Sequence, residues 1–176
     1  DRLVEKGFQN VWRIDPEGDL GIRGCPYGVE TIQARFDPDR ATQIADRRGN
    51  PDVVVGRYIL EHAQDIRKFL RALKALVSCR GYIVLEVPDC QRPMEERDYS
   101  FVWEEHIFYF TQRTFRRSFS VGGFSLAHCE SYYYPLQNAL VGIGGSQPEA
   151  ACFLSRQNQL EEKTRGRAWA GGLTSK

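Results

Sequence analysis

The chain has 176 residues, of which 41% are hydrophobic and 12% aromatic, so the composition excludes a chain that is disordered throughout. The formal net charge is +1, which excludes the overall positive field that many nucleic-acid-binding proteins use. No apolar run reaches the roughly 18 residues that a membrane-spanning helix needs. The five cysteines are odd in number and widely spaced, a pattern that predicts free thiols in a cytoplasmic protein rather than disulfides or a metal site.

Short β-branched runs alternate with helical stretches along the first part of the chain. Residues 11–14 and 30–34 predict two short strands, each stopped by an Asp-Pro pair. Residues 39–47 predict a short helix, which Gly49 and Pro51 end. This alternation is typical of α/β proteins.

The middle of the chain predicts a strand–helix–strand unit. Residues 52–56 form an apolar, β-branched run that predicts a strand buried on both faces, and residues 82–87 predict a second such strand. Between them, apolar residues at spacings of three and four over 66–77 predict a helix with one apolar face. This order implies a right-handed crossover and a parallel sheet.

The rest of the chain predicts a less regular arrangement. Residues 91–100 are polar and predict a loop or lid, and residues 111–122 predict a helix capped by Thr111. Residues 125–133 and 139–143 predict later strands that pair as an antiparallel edge. We expect one domain over residues 1–148, followed by a partly flexible C-terminal extension over residues 149–176.

Three positions carry residue types that suit chemistry. Asp15 follows the first predicted strand, where a carboxylate can accept hydrogen bonds from both hydroxyls of a ribose; the alternative is a turn residue before Pro16. Gly56 ends a strand where the lack of a side chain lets a ligand approach the backbone. His106, with Glu105 beside it and aromatic residues after it, has the parts of a general base; the alternative is an ordinary hydrogen-bonded histidine.

Four segments in a fixed order resemble a known family. They read I-D-P, D-V-V-V-G-R-Y-I-L-E-H, G-Y-I-V-L-E-V-P-D and E-E-H-I-F-Y-F-T, within roughly residues 3–134. In this order they resemble class I S-adenosylmethionine-dependent methyltransferases, and among these the branch that includes sugar C-methyltransferases. The resemblance implies a Rossmann-like, mostly parallel sheet with flanking helices and an antiparallel edge, and S-adenosylmethionine as the cofactor.

The resemblance also assigns cofactor-binding roles. The matching positions are Asp15, Phe36, Asp37, Gly56, Arg57 and His62. It implies that Asp15 holds the ribose and that Phe36 and Asp37 lie beside the adenine. Gly56 and Arg57 would lie beside the methionine part of the cofactor. His62 ends the L-E-H motif; the alternative for this motif is that its last two residues are solvated.

The last segment matches the motif to which that branch assigns proton abstraction. The resemblance makes His106 the general base, Glu105 the residue that orients it and Tyr109 the aromatic residue of the same motif. It implies a small-molecule methyl acceptor, with a nucleotide-linked sugar among the candidates. The charge, the apolar runs and the cysteine spacing separately predict no nucleic acid, no membrane and no metal. Trp103 departs from the tyrosine that the sugar-methylating branch tends to place three residues before the histidine.

A second departure concerns the first strand of the fold. Such enzymes carry a strand and a glycine-rich turn before the ribose-binding residue, and nothing before Val11 matches them. Residues 1–7 look like the last turn of the helix that follows that turn. We expect this strand to be missing or supplied otherwise, by a longer gene product, a homo-oligomer or a partner that fills the gap.

Two other functions remain open from the residues. The first is a degenerate, non-catalytic α/β module that binds a protein through Tyr132, Tyr133 and Tyr134 and through an open strand edge. The second is a nicotinamide oxidoreductase, which shares the ribose-binding aspartate but lacks the L-E-H and E-H-x-x-Y-F motifs. Methyl transfer accounts for the most motifs and is the leading hypothesis.

Overall fold

The computed structural model describes residues 2–24, 28–102, 105–135 and 137–147. The helices there are α1 (Arg2–Glu5), α2 (Val29–Arg35), α3 (Pro38–Arg48), α4 (Ile66–Leu76), α5 (Gln91–Glu96) and α6 (Gln112–Val121). The strands are β1 (Val53–Arg57), β2 (Tyr82–Pro88), β3 (Ser125–Tyr132) and β4 (Ala139–Gly145), and short 3-10 turns cover Leu60–His62 and Tyr99–Phe101. Among these helices, none combines the length and apolar character needed to cross a membrane.

The four strands form one sheet in the order β1-β2-β4-β3. β1 and β2 run parallel, with Val53 opposite Tyr82 and Arg57 opposite Glu86, as the predicted strand–helix–strand unit requires. β4 runs antiparallel to both β2 and β3. The α/β class and the antiparallel edge are therefore confirmed.

The exposure of β1 differs from the prediction. A strand buried on both faces was expected, but Val53 and Val55 are 52% and 55% exposed. β1 is an edge strand of the described sheet, so its only neighbour there is β2. β2 lies between β1 and β4 and buries Ile83, Leu85 and Val87. The prediction of a buried strand is confirmed for β2 and wrong for β1.

Two predicted strands in the first part of the chain are wrong. Residues 30–34 belong to helix α2. Its inward-facing positions recur at helical spacing, but over seven residues this spacing cannot be told from the alternation of a strand. Residues 11–14 have no regular secondary structure, although exposed and half-buried side chains alternate along them. The guanidinium of Arg48 on α3 lies 5.1 Å from the centre of the Trp12 ring, so a helix rather than a strand covers this segment.

The prediction of a loop or lid over residues 91–100 is also wrong. This segment contains helix α5 and a 3-10 turn. The side chain of Gln91 donates to Glu95 and that of Arg92 to Glu96, and pairs four residues apart stabilise a helix. The segment lacks an apolar stripe, which is why its helical character was missed.

The three predicted helices are confirmed as α3, α4 and α6. Each begins at a side chain that accepts a hydrogen bond from a backbone N–H three residues later, namely Asp37, Asp65 and Thr111. The two later strands are confirmed as β3 and β4. Residues 149–176 lie outside the described residues, so the C-terminal extension stays a prediction.

Helix α6 packs closely on β4 because two glycines leave room for aromatic rings. A Cβ atom on Gly142 or Gly144 would lie 2.6 or 2.5 Å from the nearest atom of the Phe119 ring. Phe119 is fully buried and meets the ring of Phe115 edge to face, with 5.3 Å between ring centres. These contacts hold α6 against one face of the sheet at β4.

Candidate active site

The L-E-H segment and the E-E-H-I-F-Y-F-T segment meet at one place. Leu60–His62 forms a buried 3-10 turn directly after β1. The backbone carbonyl of Glu61 accepts hydrogen bonds from the N–H groups of Ile107 and Phe108, at 2.9 Å each. Two motifs more than forty residues apart in the chain are thus joined through their main chains.

His62 has a defined tautomer. Its Nδ1 lies 2.9 Å from the backbone carbonyl oxygen of Glu105, and because a carbonyl only accepts, Nδ1 carries the proton. When the ring is neutral, Nε2 therefore holds a lone pair. The ring packs edge to face on that of His106, with centres 4.8 Å apart and an interplanar angle of 82°.

His106 is half-buried beside two other rings. Its ring centre lies 6.0 Å from that of Tyr109, which in turn meets Phe101 edge to face at 5.6 Å. Burial lowers the pKa of the His106 imidazole, His62 lowers it further, and Glu105 acts in the opposite direction. The neutral ring, which can accept a proton, is favoured at neutral pH.

Glu105 has a different setting from the one expected for an orienting carboxylate. Its side chain is exposed, and its backbone carbonyl holds His62. The structure thus brings His106 and Tyr109 into ring contact, with Glu105 adjacent through the main chain. Their roles stay predictions, and Trp103 lies outside the described residues.

Glu61 is the residue that the sequence reasoning missed. Its side chain is 1% exposed, and neither carboxylate oxygen has a hydrogen-bond partner among the described residues. Burial raises the pKa of this carboxyl. Its Oε1 lies 4.0 Å from Nε2 of His62. In the L-E-H motif only the histidine was assigned a role. The signal that could have identified Glu61 is an acidic residue between Leu60 and His62.

Arg57 is engaged across the parallel strand pair. Its Nε and Nη2 donate to the two carboxylate oxygens of Glu86 on β2, at 2.5 and 3.1 Å. This pairing lowers the pKa of Glu86 and raises that of Arg57. Next to it, a Cβ on Gly56 would lie 3.1 Å from a methyl carbon of Leu85, so the strand end is tightly packed.

Phe36 lines a separate cavity of about 200 Å³, and Asp37 is the next residue along the chain. Phe36 is buried and meets Phe69 edge to face at 5.6 Å, which gives the cavity an apolar wall. Asp37 caps α3 and lies 3.4 Å from Nζ of Lys68; the backbone N–H of Arg40 is the main cause that lowers its pKa.

The same cavity offers an unused polar group. Gln33 lines it, is 5% exposed, and its Nε2 has no hydrogen-bond partner among the described residues. Its Oε1 accepts from the backbone N–H of Gln64, which leaves the amide nitrogen as the free end. An apolar wall and a buried donor suit a purine base, whose ring nitrogens accept hydrogen bonds, so these residues fit the nucleoside part of the expected cofactor.

Asp15 directly precedes a turn over residues 16–20, which matches the alternative considered for it. Asp15 is exposed, and its Oδ1 accepts a hydrogen bond from the backbone N–H of Glu17 at 3.0 Å. Its own N–H donates to the fully buried Asp19, which also binds Arg47 and Arg48 of α3. Asp19 anchors the turn and was not predicted; ribose binding by Asp15 stays a prediction.

A family model described as a methyltransferase domain matches residues 2–128. The chain belongs to this family. The prediction of an S-adenosylmethionine-dependent methyltransferase is therefore confirmed at the level of the family. The C-methyltransferase NovU of Streptomyces niveus is 32% identical over 109 residues, which cover 62% of this chain and 26% of that protein. The chain thus matches about a quarter of the length of this relative.

Solved methyltransferase structures are also similar to the domain. A possible histamine N-methyltransferase from Thermotoga maritima has a TM-score of 0.44 at 14% identity and covers 65% of this chain and 78% of its own. A Burkholderia thailandensis N1-methyltransferase bound to S-adenosylhomocysteine has a TM-score of 0.42 at 13% identity, with 62% and 57% covered.

Proposed function

We propose that the protein transfers a methyl group from S-adenosylmethionine to a small molecule, with His106 as the general base. The observation that carries this proposal is the contact between the half-buried His106 ring, Tyr109 and the L-E-H turn that directly follows β1. In parallel α/β sheets, ligands bind at the carboxyl ends of the strands. The reacting groups would meet there.

The cofactor side rests on the cavity beside α2 and α4. Phe36 and Phe69 would contact the adenine ring, and Gln33 Nε2 would donate to one of its ring nitrogens. Asp15 would accept from the ribose hydroxyls, and Gly56 would let the methionine part pass close to the backbone. When bound, S-adenosylmethionine supplies the methyl group on an electrophilic sulfonium.

The acceptor side rests on His106. A neutral imidazole can take the proton that the acceptor loses, and the aromatic rings of Tyr109 and Phe101 reduce the access of water to it. A cavity of about 160 Å³ at the carboxyl end of β2 is lined by Asp89, Arg92 and Asn138, whose groups can both donate to and accept from hydroxyls. A nucleotide-linked sugar would suit these groups, and the name of the NovU relative supports carbon as the methylated atom.

The decisive variant is His106→Ala. We expect methyl transfer to fall by about 10²–10⁴, because the proton acceptor is removed, while the Kd for S-adenosylmethionine changes little. Transfer of a labelled methyl group to a panel of nucleotide-linked sugars measures the first, and calorimetry the second. His128→Ala, which removes a histidine on β3 paired with Glu130, is the control. An equal loss of transfer and affinity would assign His106 to structure instead.

A partner on β1 is part of the same proposal. Val53 and Val55 leave β1 partly uncovered, and β1 has one strand neighbour among the described residues. A further strand, from a longer chain or from a partner subunit, would pair along its outer edge. Tyr132 and Tyr133, 42% and 75% exposed, favour the second candidate function, a protein-binding module. Binding of S-adenosylmethionine would argue against a purely structural module.

A further inference from the structure

Three side chains with metal-ligating atoms converge at the L-E-H turn. Glu61, His62 and His106 each offer one ligand atom, and these atoms all lie within 4.8 Å of one another. Glu61 and His62 are buried, and His106 is half-buried. Two imidazoles and one carboxylate are a donor set that zinc uses in proteins.

The carboxylate of Glu61 is an independent sign that a ligand belongs here. The side chain is 1% exposed, and both of its oxygens lack a hydrogen-bond partner among the described residues. A buried carboxylate whose oxygens lack hydrogen-bond partners is unfavourable, because the loss of hydration is not made good. A cation between Glu61 and the two histidines would bind one of these oxygens and balance the charge of the carboxylate.

The tautomer of His62 also suits a metal ligand. Its Nδ1 donates to the backbone carbonyl of Glu105, as the second nitrogen of a metal-bound histidine usually does, and Nε2 is left with its lone pair. Nε2 lies 4.0 Å from Oε1 of Glu61. Zinc bonds of about 2.0–2.2 Å to nitrogen and oxygen place an ion between these two atoms after a small closure of the gap.

We propose that Glu61, His62 and His106 form a binding site for Zn²⁺. The inference goes beyond the proposed function, because the ion would bind whether or not methyl transfer takes place. The site contains no cysteine, which is why the spacing of the five cysteines does not reveal it. Three protein ligands leave a fourth position for water or a hydroxyl oxygen, whose pKa the ion would lower. A nitrogen of His106 that binds the ion cannot also accept a proton, so zinc binding and proton abstraction by His106 exclude each other in one molecule.

Zinc binding is tested by calorimetry on the metal-free protein. We expect one ion per chain with a Kd in the micromolar range or below. Glu61→Gln keeps the size of the side chain but removes its charge, and His106→Gln removes a half-buried ligand; each is expected to weaken binding at least tenfold. His128→Gln is the matched control and is expected to bind as the unchanged protein does.

Cobalt identifies the ligands and separates this site from the thiols. Co²⁺ bound by nitrogen and oxygen gives visible d–d bands without the charge-transfer band of a thiolate. Absence of saturable binding, unchanged binding in both variants, or a thiolate band would each overturn the inference. If Glu61→Gln does not fold by circular dichroism, His106→Gln decides. Absence of zinc binding with intact methyl transfer overturns the zinc site alone. Zinc binding without any methyl transfer by the metal-free protein overturns the proposed function alone.

Discussion

Single residues in the site differ in how far the sequence reveals them. The pairing of His106 with Tyr109 follows from a motif in which both stand close together, and the structure brings their rings into contact. Glu61 could not be identified in this way, because its burial is a tertiary feature: Ile107 and Phe108, whose N–H groups donate to its backbone carbonyl, belong to a distant segment. Asp15 has the right residue type, but its visible contacts are those of a turn.

The Arg57–Glu86 pair makes the stability of the fold depend on pH in the acid range. The pKa of Glu86 in the folded protein is lowered, chiefly by the hydrogen bonds from Arg57. A lowered pKa means that the pair stabilises the fold above the ordinary pKa of glutamate and that this stability is lost as the pH falls through the lowered value. We expect Glu86→Gln to reduce the free energy of unfolding by about 1 kcal/mol at pH 7, a modest figure because Arg57 is largely exposed.

Urea unfolding at several pH values measures this effect. The difference between Glu86→Gln and the unchanged protein is expected to shrink as the pH is lowered below the usual range of glutamate. Arg92→Gln, which breaks a pair exposed on both sides, is the control and should change stability very little. A difference that stays constant down to acid pH would show that packing, rather than charge, is responsible.

At the scale of elements, long periodic segments are predictable and short ones are not. Helix α4 has enough apolar positions at spacings of three and four to define its face, and the run that forms β2 is buried as expected. Helix α2 has seven residues, too few to separate a helical period from strand alternation. Helix α5 is held by polar pairs on its surface, which no hydrophobic pattern records.

The packing of α6 on β4 predicts a sensitive position. Gly144→Ala would place a methyl group 2.5 Å from the fully buried ring of Phe119, which has no room to move. We expect a loss of about 1–3 kcal/mol in the free energy of unfolding. Gly18→Ala is the control, because its added methyl group would meet only ordinary contacts at 3.5 Å or more. Equal stability of both variants in thermal unfolding would contradict the packing argument.

The described residues form an α/β unit whose sheet has two different edge strands. β3 ends it on one side with a long antiparallel pairing to β4, whereas β1 ends it with two exposed valines on the other. The class of the fold was predictable because it depends on one strand–helix–strand unit. The exposure of β1 was not, because an edge strand and a central strand can have the same sequence.

Hydrogen exchange tests whether β1 has a further neighbour in solution. The N–H of Tyr58 donates to Glu86 on β2, and alternation along the chain then directs the N–H groups of Val53 and Val55 to the outer edge. If a strand pairs there, these two amides exchange slowly, as those facing β2 do. Rapid exchange at Val53 and Val55 beside slow exchange at Val54 would contradict the proposed partner.

The backbone connection between the L-E-H turn and the E-E-H-I-F-Y-F-T segment has a consequence for alanine scanning. The backbone carbonyl oxygen of Glu61 accepts hydrogen bonds from the N–H groups of residues 107 and 108, so every atom of this connection belongs to the main chain. Exchanging side chains for alanine leaves all of these atoms in place, so a conventional scan would pass over the connection. A proline at position 107 or 108, which lacks the N–H, would cut one of its two bonds.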